Sequence, residues 1–219
     1  GSYGTAFKAP TLAQLYENSV WVNGNPELEP EKSRGWDLGV EQSFLEDQLQ
    51  FGATWFENRF DNLINTLWDN DASKYVYLNI DEARTRGLEL SLTLRPLDPL
   101  TIAAGYTYTD AEDRTTGDDL LRRPRDTYTL NLNYQLPTDG NVNLDLVHVG
   151  TRKDYDSEFP WPITTLKSYT VVNLAASCPI SEQLELTGRI ENLFDEDYEE
   201  VSGYGSPGIA GYLGAKLSF

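Results

Sequence analysis

The sequence predicts an all-β chain: an antiparallel, up-and-down segment of a transmembrane β-barrel, with about ten strands. Three observations predict it. Apolar and polar side chains alternate with a period of two from one end to the other, short turns alternate with long polar connections, and the chain finishes in a strand that ends on an aromatic residue. A period of two is the mark of a strand with one greasy and one wet face. A barrel is the arrangement that pairs a last strand with a first and so leaves no edge.

The strands follow in order. The opening Gly1-Ser-Tyr-Gly-Thr-Ala-Phe7 is already strand-like. Trp36, Leu38, Val40, Gln42 and Phe44 then share a face, as do Leu49, Phe51, Ala53 and Trp55. Leu88, Leu90, Leu92 and Leu94 alternate with Glu89, Ser91, Thr93 and Arg95, and Ile102, Ala104, Tyr106 and Tyr108 come next. Tyr128, Leu130, Leu132, Tyr134 and Leu136 alternate with Thr129, Asn131, Asn133 and Gln135. Val142, Leu144 and Leu146 follow, then Val172, Leu174, Ala176 and Cys178, then Leu184, Leu186 and Ile190. In the last strand Ile209, Gly211, Leu213, Ala215, Leu217 and Phe219 oppose Ala210, Tyr212, Gly214, Lys216 and Ser218. Aromatic residues gather near strand ends, as in the interfacial girdles of membrane barrels.

Short turns are expected at Leu45–Gln48, Pro96–Pro99, Pro137–Asn141 and Pro179–Gln183. Long polar segments are expected at Lys8–Ser33, Asp69–Lys74, Asp110–Arg125, Lys153–Lys167 and Asp195–Pro207. This sorting is the outer-membrane barrel layout, with the short turns periplasmic and the long acidic loops outside the cell. A soluble sandwich does not sort its connections so regularly. The polar face, which carries Glu41, Asn131, Asp145 and Glu191, suits a wet lumen or solvent, so alternation alone does not choose between barrel and sandwich; the loop pattern and the final strand favour the barrel.

Composition narrows the function classes. With 35 Asp+Glu against 17 Lys+Arg and a net charge of −18, the chain is unsuited to nucleic acid, whose phosphates require a basic surface. No apolar stretch is long enough for a transmembrane helix. A mean hydropathy of −0.48 fits a barrel, which spends apolar residues only on alternate positions. The single cysteine, Cys178, excludes an internal disulfide framework. The chain shows no signal peptide and opens within a strand, so it is expected to be a mature or truncated segment.

Four blocks together resemble the TonB-dependent outer-membrane receptors. They are Tyr3-Gly-Thr-Ala-Phe-Lys-Ala-Pro-Thr-Leu-Ala-Gln-Leu-Tyr16, then Gly24-Asn-Pro-Glu-Leu-Glu-Pro-Glu-Lys-Ser33, then Asn79 and Ala83 with Gly87-Leu-Glu89, and Glu191-Asn-Leu-Phe-Asp-Glu-Asp-Tyr198; the closing segment Ser202 to Phe219 also resembles the family's C-terminal box. The resemblance implies a Gram-negative outer-membrane location and a 22-stranded barrel filled by an N-terminal plug that contacts TonB. Residues 1–219 would then be the C-terminal barrel portion, with the plug and N-terminal strands absent, and would not transport alone. Within the family, Leu120-Leu-Arg-Arg123, Gly150-Thr-Arg152 and Asp195-Glu-Asp-Tyr-Glu199 with Gly203-Tyr204 resemble the vitamin B12 (cobalamin) receptors most closely. Those receptors' calcium-binding loops lie in the missing part. Two other readings stay open: a ferric-siderophore receptor of the same fold, and a self-contained ten-stranded pore or adhesin.

Such a receptor binds and then mechanically releases its ligand, so the resemblance implies no enzyme activity, no catalytic residue and no resident cofactor or metal in this segment. It places Arg122 at a cobalamin-contacting position, where an arginine fork suits amide or phosphate oxygens on the corrin periphery. The competing role is a salt bridge to a nearby carboxylate. Tyr155 is the second ligand-binding candidate, since a tyrosine can pack on a corrin edge and hydrogen-bond it. Its competing role is loop packing. The acid runs Asp110, Glu112, Asp113, Asp118, Asp119 and Asp195, Glu196, Asp197, Glu199, Glu200 lack the spacing of a calcium loop and are expected to be solvated charge. His148, the only histidine, falls on the face of Val142, Leu144 and Leu146, where an interfacial role outweighs that of a general base. Cys178 shares a face with Leu174 and Ala176 and is expected to be an apolar filler.

Overall fold

The computed structural model describes residues 1–71, 73–158 and 162–218, with the backbone alone at positions 68, 80 and 81. The elements are β1 (Ser2–Lys8), α1 (Leu12–Tyr16), β2 (Val22–Asn23), β3 (Glu31–Phe44), β4 (Leu49–Asp69), β5 (Lys74–Leu97), β6 (Leu100–Asp113) and β7 (Asp126–Gln135). They continue with β8 (Asn141–Val149), β9 (Arg152–Tyr155), β10 (Ile163–Leu166), β11 (Tyr169–Ser181), β12 (Leu184–Glu191), β13 (Glu199–Val201), β14 (Tyr204–Gly205) and β15 (Ala210–Leu217). Among the described residues, ten strands follow one another in hydrogen-bonded order, β1-β3-β4-β5-β6-β7-β8-β11-β12-β15. This is the antiparallel, up-and-down order that the alternation predicts. The closing aromatic, Phe219, lies outside the described residues.

The chain divides into two compact units. The second comprises 39–54, 88–109 and 121–219, and its register shows how the faces arise. One row reads Ile102, Leu132, Leu144, Leu174 and Ile190 across β6, β7, β8, β11 and β12. The adjacent row reads Thr101, Asn133, Asn143, Ala175 and Arg189. Each step along a strand therefore changes face, and pairing aligns like with like. On the polar face Asn131 Nδ2 donates to Asp145 Oδ1 at 2.6 Å, and Asn133 and Asn141 bond one another at 2.9–3.1 Å. On the apolar face Tyr106 stacks on Tyr128 at 4.7 Å, and Tyr128 meets the His148 ring at 5.7 Å. His148 Nδ1 also bonds Thr170 Oγ1 at 2.8 Å, so it completes an aromatic row on the face the sequence assigned to it.

Among the described residues the apolar face carries exposed large side chains. Leu213 is 96% exposed, and Leu38, Val40, Leu186 and Leu217 are exposed as well. The buried apolar residues among those described are only Leu28, Ala83, Ala111, Leu166 and Val172. A water-soluble chain of this length packs its leucines inward. An exposed apolar face of this kind meets lipid or another protein, and its regular alternation with a polar face fits lipid.

The first unit, 1–38, 55–87 and 110–120, is where the expected loops are most altered. The segment expected as a loop from Lys8 to Ser33 contains a helix and β2, and β3 has already begun at Glu31. Thr11 caps α1 in a reciprocal box with Gln14, which explains why five residues hold a helical turn. Asn25 then ties the segment down: its side chain donates to Tyr77 O at 3.1 Å and accepts from Glu27 N at 2.9 Å. Asn79 accepts from Glu29 N at 2.8 Å and donates to Glu29 O at 2.9 Å and Asn62 O at 2.8 Å. Asn62 itself has φ of 61°, a kink inside β4 that the alternation did not reveal.

β4 and β5 run for 21 and 24 residues, far beyond the stretches expected from sequence. A membrane crossing takes about 9–11 residues of tilted strand, so neither fits within hydrocarbon alone. Alternation weakens outside the bilayer because both faces there meet polar surroundings, and the sequence pattern fades where the strand does not. The turn at Leu45–Gln48 is present, with Leu45, Glu46 and Asp47 all at positive φ. The turn after β11 is shorter than expected, because the strand continues through Pro179 to Ser181.

Candidate functional site

Two of the segments expected as loops are folded, and they build the site. Within Lys153–Lys167, β9 and β10 pair antiparallel, with Tyr155 opposite Ile163 and Arg152 opposite Leu166. Within Asp195–Pro207, β13 and β14 form a hairpin whose tip is Ser202-Gly203. Gly203 has φ of +79°, and a Cβ there would lie 2.5 Å from Ser157 Cβ. Glycine is needed both for the turn and for the close approach of the hairpin to the β9–β10 segment.

Asp154 lies where these segments meet and is 0% exposed. Its Oδ1 accepts from Arg122 Nε at 2.8 Å and from Tyr155 N at 2.8 Å, and its Oδ2 accepts from Ser202 N at 2.9 Å. Burial works to raise its pKa, but the Ser202 N–H, the Arg122 guanidinium and the Tyr155 N–H together hold it below the ordinary carboxylate value. Arg122 adds a backbone bond, N–H to Lys153 O at 2.7 Å, at a positive φ of 59°.

Of the two residues singled out in the sequence, Arg122 reaches Asp154 through its side chain, whereas Tyr155 meets it only through its backbone N–H and has its side chain on the exposed face of β9. Arg122 is in an ion pair, yet half of its side chain stays exposed and only Nε faces Asp154. Tyr155 is 54% exposed. Both retain surface for a ligand.

Arg152 lies two residues before Asp154 on the same buried face and is 6% exposed. Its Nη2 donates to Glu199 O, and its guanidinium lies 5.4 Å from the Tyr169 ring centroid. Tyr169 stacks in turn on Tyr198 at 4.3 Å. Beside this stack is a hollow of about 360 Å³ whose lining includes Lys167, Tyr198 and Glu199. Arginine, tyrosine and amide groups at this surface can hydrogen-bond and stack on a large polar ligand.

The roles of Asp154, of Arg152 as an anchor and of Ser202 are not evident from the sequence. The available signal was the alternation Arg152-Lys-Asp-Tyr155, which puts Arg152 and Asp154 on one side of a strand. That signal has force only once the segment is known to be a strand. Asn192, which lies in the Glu191-Asn-Leu-Phe-Asp-Glu-Asp-Tyr198 block, is buried and organises the base of the last loop. Its side chain donates to Glu196 O at 2.9 Å and Pro207 O at 3.2 Å, and accepts from Glu196 N at 2.8 Å.

The acid runs differ from the expectation of solvated charge. Asp110 pairs with Arg86 at 2.8 Å and Glu112 with Arg84 at 2.6 Å. Asp113 caps the amides of Thr115 and Thr116. In the second run Asp195 accepts from Ile209 N at 2.8 Å and Glu199 from Gly203 N at 3.1 Å. Carboxylates with local partners are available whenever a folded loop brings donors within reach, which charge counting does not detect. Among the described residues, no group of three or more His, Cys, Asp and Glu is placed to hold a metal. Cys178 is exposed, opposite Leu186.

A strand order without crossovers, an exposed apolar face and long connections that fold into hairpins fit a transmembrane β-barrel wall. Residues 1–193 match the family of TonB dependent receptor-like β-barrels, and the chain belongs to that family. Its place is the outer membrane. Among solved structures it is similar to a mutant form of the ferric enterobactin receptor PfeA of Pseudomonas aeruginosa, at 26% identity and TM-score 0.81, over 99% of this chain and 37% of that one. It shares its fold with the pyoverdine outer membrane receptor FpvA of P. aeruginosa PAO1, at 21% identity and TM-score 0.79, over 99% and 33% of the two chains. It likewise shares its fold with the siderophore receptor PirA of Acinetobacter baumannii, at 22% identity and TM-score 0.79, over 99% and 38%. The chain spans about a third of the length of the structures it matches.

Proposed function

We propose that the chain is the C-terminal barrel wall of a receptor that takes up a large ferric chelate of the siderophore class, driven through TonB by a plug supplied by the rest of the protein. The observation that carries this reading is the likeness to a ferric enterobactin receptor across 99% of the chain. The outer loops supply binding groups, and release is mechanical. No bond in the ligand is made or broken, so the protein is not an enzyme. Arg122 and Tyr155 are the contact residues in this reading, and Asp154 holds the Arg122 guanidinium in place.

A second reading, cobalamin, is favoured by Leu120-Leu-Arg-Arg123 and Gly150-Thr-Arg152. The test is equilibrium binding of ferric enterobactin and of cyanocobalamin to the full-length receptor in detergent. Siderophore binding with no cobalamin binding supports the first reading; the reverse result overturns it in favour of the second. With whichever ligand binds, Arg122→Ala is expected to weaken affinity about 10-fold or more, as loss of a charged hydrogen bond does.

A further inference from the structure

We infer that Asp154 is a positioning residue that locks three outer segments into one body and sets the orientation of Arg122 before any ligand arrives. The segments are the stretch around Arg122, the β9–β10 hairpin and the β13–β14 hairpin, and each sends a donor to this carboxylate: Arg122 Nε, Tyr155 N and Ser202 N. Arg122 and Ser202 stand 32 and 48 residues from Asp154 along the chain, so the lock is tertiary. The carboxylate is fully buried, and a buried charge keeps its partners because water is not there to replace them. Engagement through Nε fixes the plane of the guanidinium and leaves its outer edge free. Arg122 N–H on Lys153 O, and the seat of Gly203 over Ser157, reinforce the same junction.

The consequence is that the tip of the β13–β14 hairpin responds to Arg122 without touching it. The outward placement of these segments rests on the receptor reading above, but the test needs no ligand, so a failed ligand assignment leaves the inference standing. It is amide hydrogen exchange of the full-length receptor in detergent, read in peptides covering 120–125, 152–158 and 199–205. Asp154→Asn is expected to lower protection at least tenfold in both 120–125 and 199–205. Arg122→Gln, a change at a half-exposed side chain, is expected to do the same in 199–205, and Arg122→Lys to restore part of it. Unchanged protection of 199–205 in Arg122→Gln overturns the inference. So does a uniform rise in exchange that includes the distant 39–54 peptides, because that reports general unfolding and not a local lock.

Discussion

At the scale of single residues, the polar side chains that matter most are those whose partners lie far along the chain. Asn79 reaches Glu29, 50 residues away, and also Asn62. Replacing it with alanine leaves the Glu29 N–H without its acceptor. Asn79→Ala is expected to cost about 2–4 kcal/mol by the loss of its bonds and the desolvated donor left behind, measured by urea unfolding of the full-length receptor in micelles. An unchanged midpoint would contradict the clamp. Asp154 makes a prediction in pH. Its folded pKa is held below the ordinary 3.8, so the stabilisation it contributes is complete above that value and lost as pH falls through the folded pKa. The Ser202 amide should therefore keep its protection factor from about pH 8 to about pH 5 and lose it only on acidification below about pH 4. Loss near pH 6.5, where histidine titrates, would point to another group. Asn79 and Asn192 were visible in the sequence as parts of family blocks, but their work as clamps was not, since a lone asparagine reads the same whether it bonds water or a distant backbone.

At the scale of elements, the strands were legible and their lengths were not. Alternation located each spanning strand because lipid on one side and polar groups on the other impose opposite demands on successive residues. It failed over 56–69 and 74–87, where β4 and β5 continue although the contrast between faces has gone. The hairpins at Arg152–Leu166 and Glu199–Gly205 were missed for a related reason: strands of two to four residues carry too few alternations to stand out. The face assignment leads to a direct test. Leu144, in the middle of β8 and between Leu132 and Leu174, is expected to accept arginine at a cost of about 2–4 kcal/mol, as charged residues on a lipid face do. Ser177→Arg, on the opposite face between Asn141 and Thr187, is expected to cost much less. Folding of the two variants into phospholipid vesicles, compared with the parent receptor, would reverse the order if the faces were misassigned.

At the scale of the whole molecule, the connections define two sides. The turns at Leu45–Gln48 and Pro137–Gly140 are short, whereas Gly150–Ser168 and Asn192–Ile209 carry hairpins of their own. If the latter face the outside of the cell, a membrane-impermeant maleimide applied to intact bacteria will label Glu158→Cys but not Thr138→Cys, both introduced into full-length receptor carrying Cys178→Ser. Labelling of Thr138→Cys alone would invert the orientation. The net charge of −18 acts at this scale as well. It is what remains after every arginine and lysine is counted, so pairs such as Arg84–Glu112 and Arg86–Asp110 fix where some carboxylates sit but leave the excess negative charge unchanged.

The sequence by itself determined the strand order, the two faces and the membrane around them, because side-chain alternation is a consequence of local backbone geometry and survives without knowledge of any long-range contact. It also marked Arg122 and Tyr155. Only the tertiary structure decided what holds them. Whether an aspartate is solvated or buried with an arginine and a distant backbone N–H depends on how separate segments meet, and Asp154 has the same neighbours in sequence in either case.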